Sequence, residues 1–500
     1  MGHTALVLGD QLMRDNPALE GADRVVFVES LAGPARLRTH RQRVHLVLSA
    51  MRHFAAELRE AGELEVVERR GAASMRAGLE GLGGDVVCAA PNSAGARRGL
   101  ARLGVRFVAS TQFLTAPEAF AGWADGRRRL VMEDFYREQR RRFDVLLDPD
   151  APDKPEGGRW NFDKDNRKPP KAGLDAPDPW FPTEDAIDEE VRHDLDALAL
   201  PLHGEDAARR FAATPAEAQR VLEDFVTHRL ADFGPWQDAM VPGRSVLFHS
   251  LLSAPLNLGL IDPLTVVRAA EAAYRRDDVP LQSAEGFIRQ VLGWREYVWG
   301  MYWLRAEQWP ERNALAAALE LPGAYWGART SWNCLDSVTD GVRRTAYAHH
   351  IERLMVLGTI ALTAGVQPWA MVRWFQAAFI DGAEWVMAPN AAGMALFADG
   401  GEMMTKPYAA GGNYINKMSG FCGDCRYTPN VRVGEDACPV TALYWDFVER
   451  HEDLLGANPR TRRAVSTLRR FDAENRTGIR ERAARARQEL QGAPAPDVAA

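Results

Sequence analysis

Hydrophobic and polar positions change their period once along the chain. Up to about residue 115, short β-branched apolar runs at 4–8, 24–29, 64–68, 85–89 and 105–108 predict strands. Between them, Arg41–Ala61 carries an apolar stripe at helical spacing, and 94–103 repeats it over a shorter span. This alternation predicts a mostly parallel, doubly wound, Rossmann-like sheet. Ligands in such sheets sit beyond the carboxyl ends of strands, where Gly9-Asp10-Gln11-Leu12 falls. No G-x-G-x-x-G follows the first strand, so a dinucleotide is not expected there. From about 205 to 480 helical periods take over, punctuated by Pro235, Pro242, Pro322 and Pro368, and strand signals nearly vanish.

The fold class expected is therefore α/β plus all-α: an α/β domain over 1–130, a connector over 131–204 and a helical domain over 205–480. In the connector, 132–147 reads as a helix. The Pro/Gly/Asp-rich stretch after it holds Trp160 and Phe162, which predict a loop docked on the body. Past Arg480 the composition turns to Ala, Arg, Gln and Pro, and 481–500 reads as a disordered tail.

Composition narrows the class. The chain has 500 residues, 46% of them hydrophobic, and a net charge of −7. That charge gives no global electrostatic case for nucleic acid, although Arg127–Arg129 and Arg140–Arg142 form local basic runs. Such runs are more often solvated faces. No apolar run reaches the ~18 residues of a membrane span, and Met1-Gly2-His3 leads straight into an apolar strand. A monomer in a reducing bacterial cytoplasm, away from membranes, is the simplest expectation. All fourteen tryptophans lie after residue 120. They suit a well-filled helical core, and their oxidisable indoles could also carry electrons.

Four of the five cysteines form a pattern: Cys422-Gly423-Asp424-Cys425, then Cys438-Pro439, with Cys334 lying 88 positions before Cys422. Four thiolates suit tetrahedral zinc or an iron–sulfur cubane. Two disulfides could use the same residues, but five cysteines in 500 residues do not make a secreted scaffold. Zinc knuckles come as two short-range pairs, whereas here there is one pair and two singles; spacing alone leaves zinc and iron–sulfur open. Cys88 sits in an apolar strand and reads as an inert core thiol.

Several helical-half motifs converge. His249-Ser250-Leu251-Leu252-Ser253, continuing to Asn257-Leu258-Gly259, resembles the phosphate-binding turn of photolyases and cryptochromes. Phe287-Ile288-Arg289-Gln290 with Gly293-Trp294-Arg295-Glu296-Tyr297 resembles their tryptophan–arginine–acid–aromatic helix. His349-His350-Ile351-Glu352-Arg353 and Asp381 resemble the segments that bracket the flavin. With the four cysteines and the opening Leu8-Gly9-Asp10-Gln11-Leu12, the chain resembles the iron–sulfur bacterial branch of the cryptochrome/photolyase family over about 4–450.

That resemblance implies a U-shaped FAD, a [4Fe-4S] cluster on Cys334, Cys422, Cys425 and Cys438, and a 6,7-dimethyl-8-ribityllumazine antenna. It assigns His249–Ser253, Asn257, Gln290, Trp294, Arg295, Tyr297, His350, Arg353, Asp381, Met387 and Asn390 to the flavin. Gly9, Asp10, Gln11, Leu12 and Glu29 go to the antenna. It implies light-driven repair of (6-4) photoproducts in ultraviolet-damaged DNA. The alternatives are a cryptochrome-type photoreceptor with the same cofactors, or a nucleic-acid-binding iron–sulfur protein whose flavin site is vestigial.

Physical chemistry gives each residue a reading. Ser250 and Ser253 suit a pyrophosphate at a helix start, although Ser-x-x-Ser is often an ordinary cap. Arg353 and Asp381 suit an ion pair that tunes a flavin, or a structural salt bridge. Met387 stands where many relatives carry asparagine, and a thioether donates no hydrogen bond. His350 matches the histidine that protonates the lesion, and Leu354 replaces a second histidine of eukaryotic relatives. His349 is a catalytic candidate beside His350, but neighbouring residues on a helix diverge, so one of the two is expected to face the flavin and lesion while the other packs or bonds elsewhere. Trp326 and Trp374 match electron carriers; Phe375 is too hard to oxidise, and Trp385 and Trp332 are alternates. Lys406, Lys417 and Arg432 could meet phosphates, and Trp294 or Tyr408 could stack on a flipped base.

Overall fold

The computed structural model describes residues 2–492. Five strands form one parallel sheet: β1 (His3–Val7), β2 (Ala22–Ser30), β3 (Glu65–Ala72), β4 (Val86–Ala89) and β5 (Arg106–Val108). Their order is β3-β2-β1-β4-β5. All five predicted strands are present, and helices Arg41–Ala61 and Ala94–Ala101 supply crossovers. Ala5, Leu6, Val25 and Val26 have no exposed surface, as expected of central strands covered on both faces. The order reverses between β1 and β4, so the ligand crevice opens at their carboxyl ends.

The helix predicted over 132–147 stops at Arg142. Asp144 and Leu146 then adopt positive φ, which ends the helical path, and a small antiparallel pair over 147–155 follows that the sequence did not reveal. The aromatic loop is docked: Phe162 is buried and its N–H donates to Glu285, while Asn166 donates to the carbonyl of Gln282.

The remainder is helical. Three stretches widen to π-helix, Arg289–Arg295, Arg353–Gly358 and Ala388–Ala395, and each lies in a segment read as flavin-binding. One extra residue per turn rotates the following side chains relative to an α-helix, and such bulges gather at functional sites. The tail expectation fails over 481–491. Helix Ala473–Gln491 continues there and buries Ile479, Ala483, Ala486 and Leu490 on one stripe. Two alanines made that stripe hard to see by hydrophobicity. The rest of the expected tail, 493–500, lies outside the described residues. No helix among the described residues is long and apolar enough to cross a membrane.

Candidate functional site: a histidine cluster beside an arginine–aspartate pair

His349 is not on a helix. It is the extended residue (φ −75°, ψ 167°) that caps the helix beginning at His350. The divergence expected of helical neighbours therefore does not apply, and both imidazoles meet His249. The His249 and His349 rings stack at 4.5 Å, and His249 Nε2 lies 3.2 Å from His350 Nδ1. His349 is buried, whereas the His350 side chain is 50% exposed.

The hydrogen bonds fix the protons. His249 Nδ1 lies 2.9 Å from the Val246 carbonyl, which only accepts, so Nδ1 carries the hydrogen. Burial, then the charge of His350, push the His249 pKa down to about 3, so this ring is neutral and its Nε2 accepts from His350 Nδ1. His350 Nε2 faces Asp238 Oδ1 at 3.3 Å. Burial alone would raise the Asp238 pKa, but the hydrogen bond and charge of His350 outweigh it and hold it below the usual range. His350 thus bridges the two, with Nδ1 toward the His249 acceptor and Nε2 toward the Asp238 carboxylate. Arg167 adds a cation 3.6 Å from Asp238.

Beside the cluster, Arg353 pairs with Asp381 at 2.9 Å and donates to the Ala348 carbonyl. Asn257 donates to the Asp381 carbonyl. Arg353 also lies 4.2 Å over Phe379, which contacts Trp374 edge-on at 5.5 Å. Trp374 is buried and its Nε1 has no partner among the described residues. Phe375 stacks on Phe379 rather than continuing a line of oxidisable rings. Trp326, next to Tyr325, packs against His203 at 5.0 Å and under Arg38. Trp332 donates to Glu489 on the C-terminal helix, and Trp385 contacts Phe113 and Trp299.

In the phosphate-turn motif, Leu251 holds φ at 61°, a left-handed value uncommon for leucine, and Leu252 is buried. Ser250 Oγ accepts locally from Leu252 N–H, and Ser253 opens helix Ser253–Leu258. Gln290 and Asn390 each donate to the carbonyl four residues back, and Met387 is buried. Two residues assigned to the flavin are committed elsewhere. Arg295 binds Glu296, the Gln112 carbonyl and the face of Phe113. Tyr297 donates to the Leu130 carbonyl inside a Phe120–Trp123–Phe135 cluster.

The four cysteines line one small cavity, with Cys334 from helix Asn333–Thr345 and the others from the 422–438 loop. Asn333 donates to the Phe421 carbonyl and ties the two segments. A Cβ on Gly412 would stand 2.7 Å from Cys438 Sγ, so only glycine fits there. No three of these Sγ atoms come within 4.8 Å of one another among the described residues. Cys88 lies apart, and burial raises its pKa.

A cavity of about 800 Å³ opens at the sheet's switch point and reaches Asp381 and Trp385. Gly9, Asp10 and Glu29 line it. Glu29 is paired with Arg52 at 2.8 Å, and Asn92 donates to Asp10. Gln11 and Leu12 point away: Gln11 donates to the carbonyls of Ala89 and Ala90, and Leu12 N–H to the Leu258 carbonyl. A cleft of about 1030 Å³ joins Trp294 to Arg127, Arg128, Arg129, Arg305 and Arg460. Lys406 lies over Tyr408 and Arg432 over Phe471. Sequence reasoning missed Asp238 and Arg167, which carry no local motif and matter only through folded contacts, and gave no role to Glu352 within the His349–Arg353 motif.

Comparison with known proteins follows the same lines. Residues 5–211 match the family described as deoxyribodipyrimidine photo-lyase-related protein. The chain is 39% identical over 503 aligned residues, 97% of this chain and 99% of the relative, to the (6-4) photolyase of Agrobacterium fabrum. A 63-residue stretch, 12% of this chain and 48% of the relative, is 40% identical to an uncharacterized protein of Acanthamoeba polyphaga mimivirus. The fold matches a bacterial class III photolyase from Agrobacterium tumefaciens with a TM-score of 0.54 at 16% identity, covering 98% of both chains. Identity sustained across nearly the whole of both chains, on a shared architecture, makes this chain a member of the photolyase family.

Proposed function

We propose that this protein is a light-driven DNA-repair flavoprotein acting on (6-4) photoproducts, with His350 as proton donor. The observation that carries the reading is the His249–His350–Asp238 chain, which holds a half-exposed imidazole between an accepting ring nitrogen and a carboxylate, next to the Arg353–Asp381 pair. Moving a hydroxyl or amino group between the two bases of that lesion calls for such a donor.

The residues fit the implied groups. Ser250, Ser253, Asn257, Gln290, Arg353, Asp381, Met387 and Asn390 would hold FAD. The strained turn at Leu251 and the Trp374 nitrogen, unpartnered among the described residues, are what a ligand-completed site leaves behind. When bound, the reduced flavin supplies a photoexcited electron to the lesion and recovers it, with no net redox change. Arg353 and Asp381 hold a fixed charge pair at that place, and His350 delivers its proton to the base that leaves the stack. The cleft arginines suit DNA phosphates, and Trp294 suits the flipped base. Trp374 and Trp326 are proposed as carriers of electrons from the surface.

Four thiols suit zinc or iron–sulfur. A single zinc with Zn–S of about 2.3 Å draws its four sulfurs to about 3.8 Å of one another. The motif likeness to the iron–sulfur branch of the family favours the [4Fe-4S] cluster. The sheet-end cavity is proposed for the lumazine antenna. On this reading 1–130 binds the antenna, 131–204 connects and 205–480 binds flavin and cluster, in a monomeric cytoplasmic enzyme.

Reduced protein plus light should restore an oligonucleotide carrying a (6-4) photoproduct, and His350→Ala should abolish this while retaining flavin. Undiminished repair in that variant would remove His350 from the mechanism; flavin without repair of any lesion would favour a photoreceptor. Purified protein should carry iron and inorganic sulfide; zinc in their place would overturn the cluster.

A further inference from the structure

One buried acid beside the histidine cluster has no part in that mechanism. Glu352 is 4% exposed, yet it lines a cavity of about 150 Å³ together with Ser245, Thr345 and Tyr347. The cavity reaches the surface at exposed Pro177, Asp178 and Arg344, shares no lining residue with the basic cleft or the sheet-end cavity, and has room for several waters. Glu352 Oε2 accepts from the His349 backbone N–H at 3.2 Å and lies 3.8 Å from His349 Nε2. Both ring nitrogens of His349 lack any partner among the described residues. A buried imidazole left so is costly, and the nearest group able to serve it is this carboxyl, directly or through one water.

We propose that Glu352 is a proton port, exchanging protons between this cavity and the His349–His249–His350 cluster. One nitrogen from each of the three rings lies within 4.8 Å of the others, a span one water bridges. Burial and the charges of His249, His350 and Arg353 hold the His349 pKa well below its ordinary value, so this ring relays without staying charged: the carboxyl proton moves to His349 Nε2 as the Nδ1 proton passes through a water to a His350 that has given up its own, leaving a carboxylate and a neutral His349. The carboxylate takes its next proton from a buffer acid or hydronium in the cavity. Glu352 suits the task because no arginine or lysine among the described residues pairs with it. Arg353, the nearest cation, is committed to Asp381 and the Ala348 carbonyl. Burial consequently pushes the Glu352 pKa up to about 8, against the His349 N–H and the charge of Arg353. His349, Tyr347 and Arg353 face it on the cluster side, and Arg210, Arg244 and Arg344 line the cavity. On the proposed function, DNA covers the exposed side of His350 during repair, and the port keeps the cluster in contact with solvent protons.

The test uses the full chain with its native chromophores, bound to undamaged duplex. Infrared difference between wild type and Glu352→Gln should show a protonated carboxyl absorption that titrates near 8 and shifts in D2O. Exchange of the His349 and His350 ring N–H groups with water, read by NMR, should slow about a hundredfold in Glu352→Gln, the low end for a positioned proton donor. The glutamine oxygen still accepts from His349 N–H, so the helix cap survives, and Glu352→Asp should restore exchange. If Glu352→Gln does not fold, Thr345→Leu narrows the cavity and should slow the same exchange. No carboxyl absorption, or wild-type exchange in either folded variant, would overturn the port. Absence of repair by the wild-type protein would sink the function proposed above and leave this readout intact.

Discussion

Two histidine clusters sit in this molecule, and burial serves opposite ends in them. At the junction of the sheet with the helical half, both ring nitrogens of His40 are occupied: Nδ1 accepts from Gln42 N–H and Nε2 donates to the Arg343 carbonyl. Around it His40 N–H reaches the Ala377 carbonyl, Arg41 N–H the His203 carbonyl, and Gln42 the carbonyls of Glu205 and Arg344. In the site cluster neither nitrogen of His349 is occupied, and His350 stands half exposed. A fully bonded buried histidine is a joint. A buried histidine left unbonded marks a place completed by something else.

The sharpest way to break this contrast is to delete one histidine from each cluster. His350→Ala should lower light-dependent repair by about 10²–10⁴-fold with flavin absorption unchanged. His40→Ala should leave repair per folded molecule near wild type. Equal losses would abolish the distinction.

Stability should respond the other way. His40→Ala strands Gln42 N–H and opens a cavity at a three-segment junction, which should cost about 2–4 kcal/mol in denaturant unfolding. Gly204→Ala should cost about 1–3 kcal/mol, because its Cβ would stand 2.0 Å from His40 Nε2 at a positive φ of 79°.

Acid sharpens the comparison further. Burial lowers the His40 pKa from 6.5 to about 4. As pH falls through 6.5 the unfolded chain takes the proton first, so this contribution is complete above 6.5 and is lost down to about 4. His249 is lowered to about 3 and acts in the same direction. Unfolding free energy should therefore fall with acid, and His40→Gln should make the slope between pH 6.5 and 4 shallower. The smallest effect is expected at Asp238→Asn. It removes the anionic acceptor of His350 and should slow repair about tenfold.

The sheet was legible because its signal is local: β-branched runs at the right spacing survive folding unchanged. The C-terminal helix was misread because a stripe built largely from alanine has the shape of a buried face without its hydropathy. His349 and His350 were visible as letters, but their meeting depends on one extended backbone residue before a helix start. Asp238 and Glu352 gain their meaning only from neighbours more than a hundred positions away or from a cavity wall. Arg295 and Tyr297 show the converse, since a matching motif did not stop the fold from using both side chains as mortar between the sheet domain and the helices.

The crevice at the sheet's end is fastened to the flavin-motif loop by name: Leu12 N–H to the Leu258 carbonyl, Gln112 to the carbonyls of Leu256 and Asn257, and Asn257 onward to that of Asp381. Two halves stitched this way cannot be traded between relatives like cartridges. A chimera that imports a foreign sheet without the matching 253–259 segment inherits a mismatched seam, and the spacing between whatever the two halves hold would drift with it.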